Sequence, residues 1–166
     1  MLSNMDSNEN KSYLTAIARK TLPAPTRWLM RMGAIRGTTL DYGCGKCHEV
    51  NNQFLPGHLG WVDGYDPYYR PSGIPSVHTR YQTIICNYVL CVLPTPEERI
   101  QVLIDIQHLL TNDGLAFITV RNDFPKKGHG WTSRGTCQAK VILPYRSIFI
   151  SSAFRIYLLT KTDRLI

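Results

Sequence analysis

The sequence lacks any apolar run long enough to cross a membrane, because no stretch approaches the roughly 18 residues that a span requires. Residues 1–20 also lack the charged head, apolar stretch and cleavage site of a secretory signal. The chain has five cysteines, and an odd number without a secretory context argues against a disulfide framework. We therefore expect a cytoplasmic protein whose cysteines are reduced and which has no membrane partner.

The composition excludes a disordered or fibrous chain, since 43% of the residues are hydrophobic and 19% are charged. A length of 166 residues suits one domain, so we predict a single domain over 1–166. Within it, residues 1–11 are expected to be flexible and residues 12–36 to form an N-terminal helical segment. The formal net charge of +7 would attract a polyanion such as nucleic acid, although it fits a solvated basic surface equally well.

Short β-like runs alternate with helical patterns along the chain. TTLDYGCG, GWVDGYDP and YQTIICNYV each predict a strand, and Thr95 with Glu98 forms a capping box that starts a helix ending near Gly114. LAFITV, residues 138–143 and RIYLLTK predict three later strands. This alternation predicts an α/β fold with a mostly parallel sheet, a final strand that turns back antiparallel, and a reduced connection after the second strand.

Four residues near the first two strands are typical of a nucleotide-like cofactor site. Asp41, Gly43 and Gly45 stand where the first strand should end, and glycines there let the backbone approach a ligand closely. Asp66 ends the second strand about twenty residues later, where a carboxylate can accept hydrogen bonds from both ribose hydroxyls. The pairing of this turn with Asp66 favours a bound cofactor over an ordinary strand-to-helix turn.

LDYGCG followed by GYDP resembles the first two motifs of class I S-adenosylmethionine-dependent methyltransferases, and CNYVLCVLP with NDGLAFITV resembles their later core. Together with TAIARKTLPAPTRWLM, these motifs also resemble methyltransferases associated with DNA phosphorothioation systems. The resemblance implies a Rossmann-like methyltransferase fold, S-adenosylmethionine as cofactor and a link to DNA modification. It implies that Asp41, Gly43 and Gly45 hold the methionine end of the cofactor and that Asp66 holds its ribose. It also implies that Asn87 and Tyr88 bind beside the cofactor, near the substrate entrance.

Other functions compete for the same residues. Asp66 would equally suit the ribose of NAD in an oxidoreductase, although the dinucleotide fingerprint would place a third glycine at His48. A cofactor-binding protein without catalysis is the second alternative, because Cys47 replaces the third glycine of the methyltransferase family. Cys44, Cys47 and His48 match the CxxCH motif of c-type haem attachment, but that attachment requires export of the chain, for which the sequence shows no signal. Cys86 and Cys91 do not provide the second close pair of ligands that a structural zinc site needs. We therefore expect no metal.

Methyl transfer needs mainly alignment, exclusion of water and sometimes a base, so few residues are obligatory. His129 and Asn87 are the candidate catalytic residues, the former as a general base. Cys86 lacks the sequence context of a cytosine-methylating nucleophile, and we expect it to pack in the core. The segment RNDFPKKGHGWTSRGTCQ, which follows the predicted strand LAFITV, could bind a nucleic acid or nucleotide substrate through cations and one aromatic ring, namely Arg121, Lys126, Lys127, Trp131 and Arg134.

Overall fold

The computed structural model of the chain describes residues 11–18, 21–46, 62–71, 76, 78–123 and 130–165. Residues 1–10 of the segment expected to be flexible, residues 47–61 after the glycine turn, and residues 124–129 of the segment expected to bind substrate lie outside this set. Among the described residues, no helix combines the length and the apolar character that crossing a membrane requires.

A mixed, mostly parallel sheet of six strands forms the centre of the described structure, in the order β2-β1-β3-β4-β8-β7. The strands β1 to β4 pair in parallel, whereas β8 runs antiparallel to both β4 and β7. A separate two-stranded hairpin consists of β5 and β6. The bounds are β1 Thr39–Tyr42, β2 Val62–Tyr65, β3 Tyr81–Asn87, β4 Leu110–Arg121, β5 Gly130–Trp131, β6 Cys137–Gln138, β7 Ser147–Ile150 and β8 Phe154–Thr160. The predicted α/β class and the antiparallel final strand are confirmed.

The first helix, α1 (Ala24–Arg31), begins with a proline in its first turn, which needs no amide partner there. It ends where Gly33 takes a left-handed conformation at φ +63°, and the amide of Ala34 donates to the carbonyl of Leu29 at 2.9 Å. Leu29 is fully buried against the sheet as the helical spacing predicts. Met32, which follows the last residue of the helix, is 62% exposed.

The second helix, α2 (Pro96–Leu109), starts at the predicted capping box, in which the Thr95 hydroxyl accepts from the amide of Glu98 and the Glu98 carboxylate accepts from the amide of Thr95. The helix ends at Leu109, earlier than predicted. The Lys161 ammonium donates to the carbonyls of Gln107 and Leu110 there, so a cation satisfies the helix end. The residues before LAFITV, which were expected to end the helix, instead lie within β4. There the pairing with β3 shifts register, so that Tyr81 pairs with Leu110 and Thr83 with Leu115.

Two hydrophobic clusters lie on opposite faces of the sheet, as the alternation of side chains along the strands requires. On the α2 face, Leu40, Ile84 and Ile118 of the three adjoining strands pack against Ile106. On the α1 face, Leu29 packs with strand residues that include Ile85, Phe117 and Ile156.

The connections differ from the prediction in the second half of the chain. Residues 138–143 form no continuous strand, since β6 stops at Gln138, and Val141 packs against the α2-face cluster without a ladder partner. The edge strand β7 was not predicted. The described residues between β2 and β3 form turns and a bridge between Asp66 and Arg70 and contain no α-helix, which agrees with the predicted reduced connection.

Candidate functional site

A cavity of about 540 Å³ opens at the carboxyl edge of the parallel strands. Its wall includes one polar residue at or just after the end of each of four strands: Asp41 of β1, Asp66 after β2, Asn87 of β3 and Arg121 of β4. The strand β1 lies between β2 and β3, so the cavity sits where the chain order of the sheet reverses. Open α/β sheets bind their ligands in the crevice at this position.

Asp41 contributes a partly buried carboxyl group to the cavity. Burial raises its pKa from the ordinary 3.8 to about 7, with Arg70 opposing the rise and Asp66 adding to it. Removing a carboxylate from water disfavours its ionised form unless a cation compensates. The site therefore holds an acidic group that a positively charged ligand would stabilise.

The glycine turn after β1 is closed by the protein itself. Gly43 and Gly45 have φ values of +77° and +60°, and a Cβ on Gly43 would come within 2.2 Å of the Val89 side chain. The amides of Gly43 and Cys44 donate to the carbonyl of Tyr65 at 2.7 and 3.0 Å. Close packing and left-handed backbone explain the two glycines, and the amides of 43 and 44 are engaged in hydrogen bonds within the chain.

The Asp66 carboxylate ties the turns after β1 and β2 together. Its Oδ2 accepts from the amide of Gly45 at 3.0 Å, and its Oδ1 accepts from the amides of Tyr68 and Tyr69, each at 2.9 Å. A carboxylate offers about four acceptor positions, so about one remains for a ligand hydroxyl. Sequence reasoning assigned this carboxylate to a ribose and did not predict its three backbone partners.

Asn87 and Tyr88 stand at the end of β3, where the backbone is strained. The Asn87 side-chain amide donates to Thr26 Oγ1 at 2.9 Å, while its Oδ1 is buried and has no hydrogen-bond partner within the described chain. Tyr88 has φ +65°, which is rare for a residue with a side chain, and its amide donates to the carbonyl of Thr119. Strain and an unpaired buried acceptor at one place are typical of a binding site.

The fourth strand ends in a hydrogen-bonded wall of the cavity. Arg121 pairs with Asp123 through Nε at 2.8 Å and donates from Nη1 to the side-chain oxygen of Gln138 at 2.8 Å. All three residues line the cavity. Sequence reasoning named Arg121 and missed the other two, although the position of Asp123 two residues past the strand end was a usable signal.

Two of the predicted substrate residues, Trp131 and Arg134, lie away from the cavity. Trp131 and Arg134 belong to the β5–β6 hairpin and its turn, are exposed, and do not line the cavity. Lys126, Lys127 and His129 lie outside the described residues.

The buried cysteines behave as core residues. Cys86 and Cys91 are fully buried, and burial raises the pKa of both thiols, that of Cys91 to about 11. Both therefore stay protonated near neutral pH and are poor nucleophiles. No group of three or more histidine, cysteine or acidic side chains suited to a metal ion occurs in the part of the chain that the structure describes.

Residues from the N-terminal segment also line the cavity, which the sequence did not predict. Tyr13 stacks on Tyr68 with ring centroids 4.0 Å apart and planes inclined by 11°. Ala16 packs against Gly45, where a Cβ would come within 3.1 Å of its methyl group. This segment therefore forms one side of the cavity.

Comparisons with known proteins give little beyond this geometry. No family model matches the chain. No curated protein matches it either. Among solved structures, it is similar to PKMT2 from Rickettsia typhi, determined in complex with AdoHcy, with a TM-score of 0.35 and 16% identity over 53% of this chain. The match spans 21% of that protein, so the function proposed below rests on the site and on the sequence motifs.

Proposed function

We propose that the cavity at the carboxyl edge binds S-adenosylmethionine and that the chain transfers its methyl group. The observation that carries the proposal is the position of Asp41 at the cavity, where burial raises the pKa of its carboxyl group to about 7 and Arg70 offsets only part of that rise. S-adenosylmethionine brings a sulfonium and an ammonium group, and either would stabilise the ionised carboxylate. The cavity volume of about 540 Å³ lies within the range of roughly 300 to 1,000 Å³ that small-molecule sites occupy.

The same geometry disfavours a dinucleotide. A pyrophosphate is normally held by open amides of a glycine turn and by the helix that follows it. Here the amides of Gly43 and Cys44 are bonded to Tyr65, and that of Gly45 to Asp66. Two carboxyl groups, those of Asp41 and Asp66, would also repel phosphate at this edge.

The bound cofactor supplies an electrophilic methyl group, and the residues of this chain supply alignment. Asn87 Oδ1, which has no hydrogen-bond partner among the described residues, is suited to accept a hydrogen bond from an N–H or O–H group of the ligand or methyl acceptor. Thr26 holds the Asn87 amide group from the other side, which fixes the direction of that oxygen. Proton removal from the acceptor is assigned to His129 as a proposal from the sequence alone.

We further propose a nucleic acid or nucleotide as methyl acceptor. Support comes from the net charge of +7, from the cations that follow β4, and from the resemblance to methyltransferases of DNA phosphorothioation systems. Binding to DNA or RNA should then fall steeply with salt, and joint replacement of Lys126 and Lys127 by alanine should flatten that dependence. Failure to bind either nucleic acid at low salt, with a small molecule methylated instead, would reject this acceptor.

Calorimetry with S-adenosylmethionine and NAD at pH 6 and pH 8 tests the cofactor assignment. We expect S-adenosylmethionine to bind up to about tenfold more tightly at pH 8 than at pH 6. At pH 8 the Asp41 carboxyl group is already ionised, whereas at pH 6 it must first lose a proton before it can pair with the cationic ligand. Asp41→Asn should remove this pH dependence, while Asp113→Asn, which changes an exposed acid elsewhere, should keep it. Preference for NAD would overturn the assignment, and binding without turnover of any acceptor would favour a cofactor-binding protein.

A further inference from the structure

The N-terminal strap, defined here as residues 12–17, crosses the cavity at its glycine-turn side. Its contacts with the described chain include the Tyr13 ring on Tyr68, the Tyr69 hydroxyl donating to the carbonyl of Tyr13 at 2.9 Å, and Ala16 against Gly45. Five of its six residues line the cavity, namely Ser12, Tyr13, Thr15, Ala16 and Ile17. The strap therefore separates part of the cavity from solvent.

The attachment of the strap is weak. Its only regular element is a four-residue 3₁₀ helix that buries no residue completely, and such short helices have poor hydrogen-bond geometry. Leu14 and Ile17 are 47% and 62% exposed, so their side chains add little hydrophobic anchoring. Segments with few buried apolar contacts open locally at low free energy.

The backbone that carries the Tyr68 ring is tied to the rest of the site by hydrogen bonds. The amide of Tyr68 donates to Asp66, which is itself bonded to the amide of Gly45, so the backbone at Tyr68 is tied to the two strand-end turns. The Tyr69 ring packs edge-on against the Tyr68 ring, with centroids 4.8 Å apart. Tyr68 is 56% exposed, so it is the backbone and the Tyr69 ring that position it; it lines the cavity, and Tyr13 covers one face of its ring.

We propose that Tyr13 is a displaceable cover: it occupies the face of Tyr68 on which the purine ring of the cofactor stacks, and the strap opens when the cofactor binds. This inference rests on the proposed function. A separation of 4.0 Å between the rings of Tyr13 and Tyr68 leaves no room for a third ring between them. A purine can reach that face only by replacing Tyr13. The strap consequently competes with the ligand and lowers its apparent affinity.

Opposite effects of the two tyrosines test the proposal. Calorimetry with AdoHcy, the unreactive product, should give a dissociation constant about twofold to tenfold lower for Tyr13→Ala, because the competing ring is gone. Tyr68→Ala should raise the dissociation constant, since the stacking face is removed. Tyr13→Phe is the matched control and should behave as the unmodified chain, because it keeps the ring.

Hydrogen exchange, measured by mass spectrometry on a peptide spanning residues 11–17, distinguishes a strap that opens when the ligand binds from one that stays in place. AdoHcy should raise exchange at the amide of Ala16, which donates to the carbonyl of Tyr13 when the strap is closed. Tyr68→Ala should raise it without any ligand.

The outcomes separate the two proposals. If the unmodified chain binds AdoHcy but Tyr13→Ala binds equally or more weakly, or if the ligand protects the strap from exchange, the displaceable cover is rejected and the cofactor site stands. If neither the unmodified chain nor Tyr13→Ala binds AdoHcy, the cofactor assignment fails and the cover falls with it. Binding that is measurable only in Tyr13→Ala would support both.

Discussion

The two edges of the parallel sheet treat their polar groups in opposite ways. At the amino edge, the Tyr81 hydroxyl donates to Asp63 at 2.9 Å, and Thr83 exchanges hydrogen bonds with the backbone of Arg36. At the carboxyl edge, burial raises the pKa of Asp41, and Asn87 Oδ1 is buried without a partner in the described chain. The amino edge is built for stability, whereas the carboxyl edge retains unfavourable features that a ligand could relieve.

The contrast extends to the backbone. Tyr88, at the carboxyl end of β3, takes a left-handed conformation that costs on the order of 1 to 3 kcal/mol for a residue with a side chain. At the opposite end of the sheet, Lys161 satisfies the last carbonyls of α2. If the contrast is real, substitutions at the carboxyl edge should stabilise the fold or change binding, and substitutions at the amino edge should only destabilise.

The largest effect is expected for Asp41→Asn. The folded-state pKa of about 7 exceeds the unfolded value of 3.8, so the folded state binds the proton more tightly and stability is lost as pH rises through this window. At pH 8 the variant should be more stable than the unmodified chain by about 2 to 4 kcal/mol, allowing for partial solvent access, and at pH 4 the two should agree. Urea denaturation at several pH values in this range measures the free energy of unfolding of both chains. If that free energy changed with pH equally in both, Asp41 would not be destabilising and the contrast between the edges would not hold at this residue.

Asp66→Ala should weaken the binding of S-adenosylmethionine by about 1 to 3 kcal/mol, because a charged acceptor is lost. It should also lower the free energy of unfolding, because the backbone amides of Gly45 and Tyr68 lose their partner. Calorimetry on a variant that retains its circular dichroism spectrum gives the value. Asp63→Ala, an acid at the start of the same strand, is the control and should leave the affinity unchanged. Equal losses in both variants would mean that the two edges do not differ in function.

Tyr81→Phe should give the smallest effect, a loss of about 0.5 to 1.5 kcal/mol of unfolding free energy with cofactor affinity intact. The removed hydroxyl leaves an exposed Asp63 carboxylate that water can solvate, so no buried charge is stranded. Tyr145→Phe is the comparison, because its exposed hydroxyl is 3.4 Å from its acceptor and should matter less. A change in affinity on Tyr81→Phe would show that the amino edge is coupled to the cavity.

Local patterns predicted the elements that depend on neighbouring residues. The capping box at Thr95 and the proline-initiated α1 follow from contacts within one helical turn. The placing of Asp41 and Asn87 at one cavity also followed, because the carboxyl ends of parallel strands meet at one edge.

The sequence could not predict features that depend on contacts between distant segments. Tyr13 meets Tyr68 across more than fifty positions, and neither residue stands out in its local pattern. The Asp66 carboxylate is the clearest case, since its residue type suits a ribose and a backbone clasp equally, and only the folded chain brings the amide of Gly45 to it. The predicted strand over residues 138–143 was wrong for a similar reason. An apolar run can pack on a core whether or not it pairs with a neighbouring strand, so its sequence does not show which occurs.

The long strand β4 has a consequence for synthesis of the chain. Its residues from Leu115 to Arg121 pair with β8, which begins only at Phe154. While the ribosome produces the intervening residues, one side of β4 is an unpaired and largely apolar edge, the kind of surface that associates with other chains. Released chains that end before Phe154 should therefore need a chaperone, whereas released chains that include β8 should need it less.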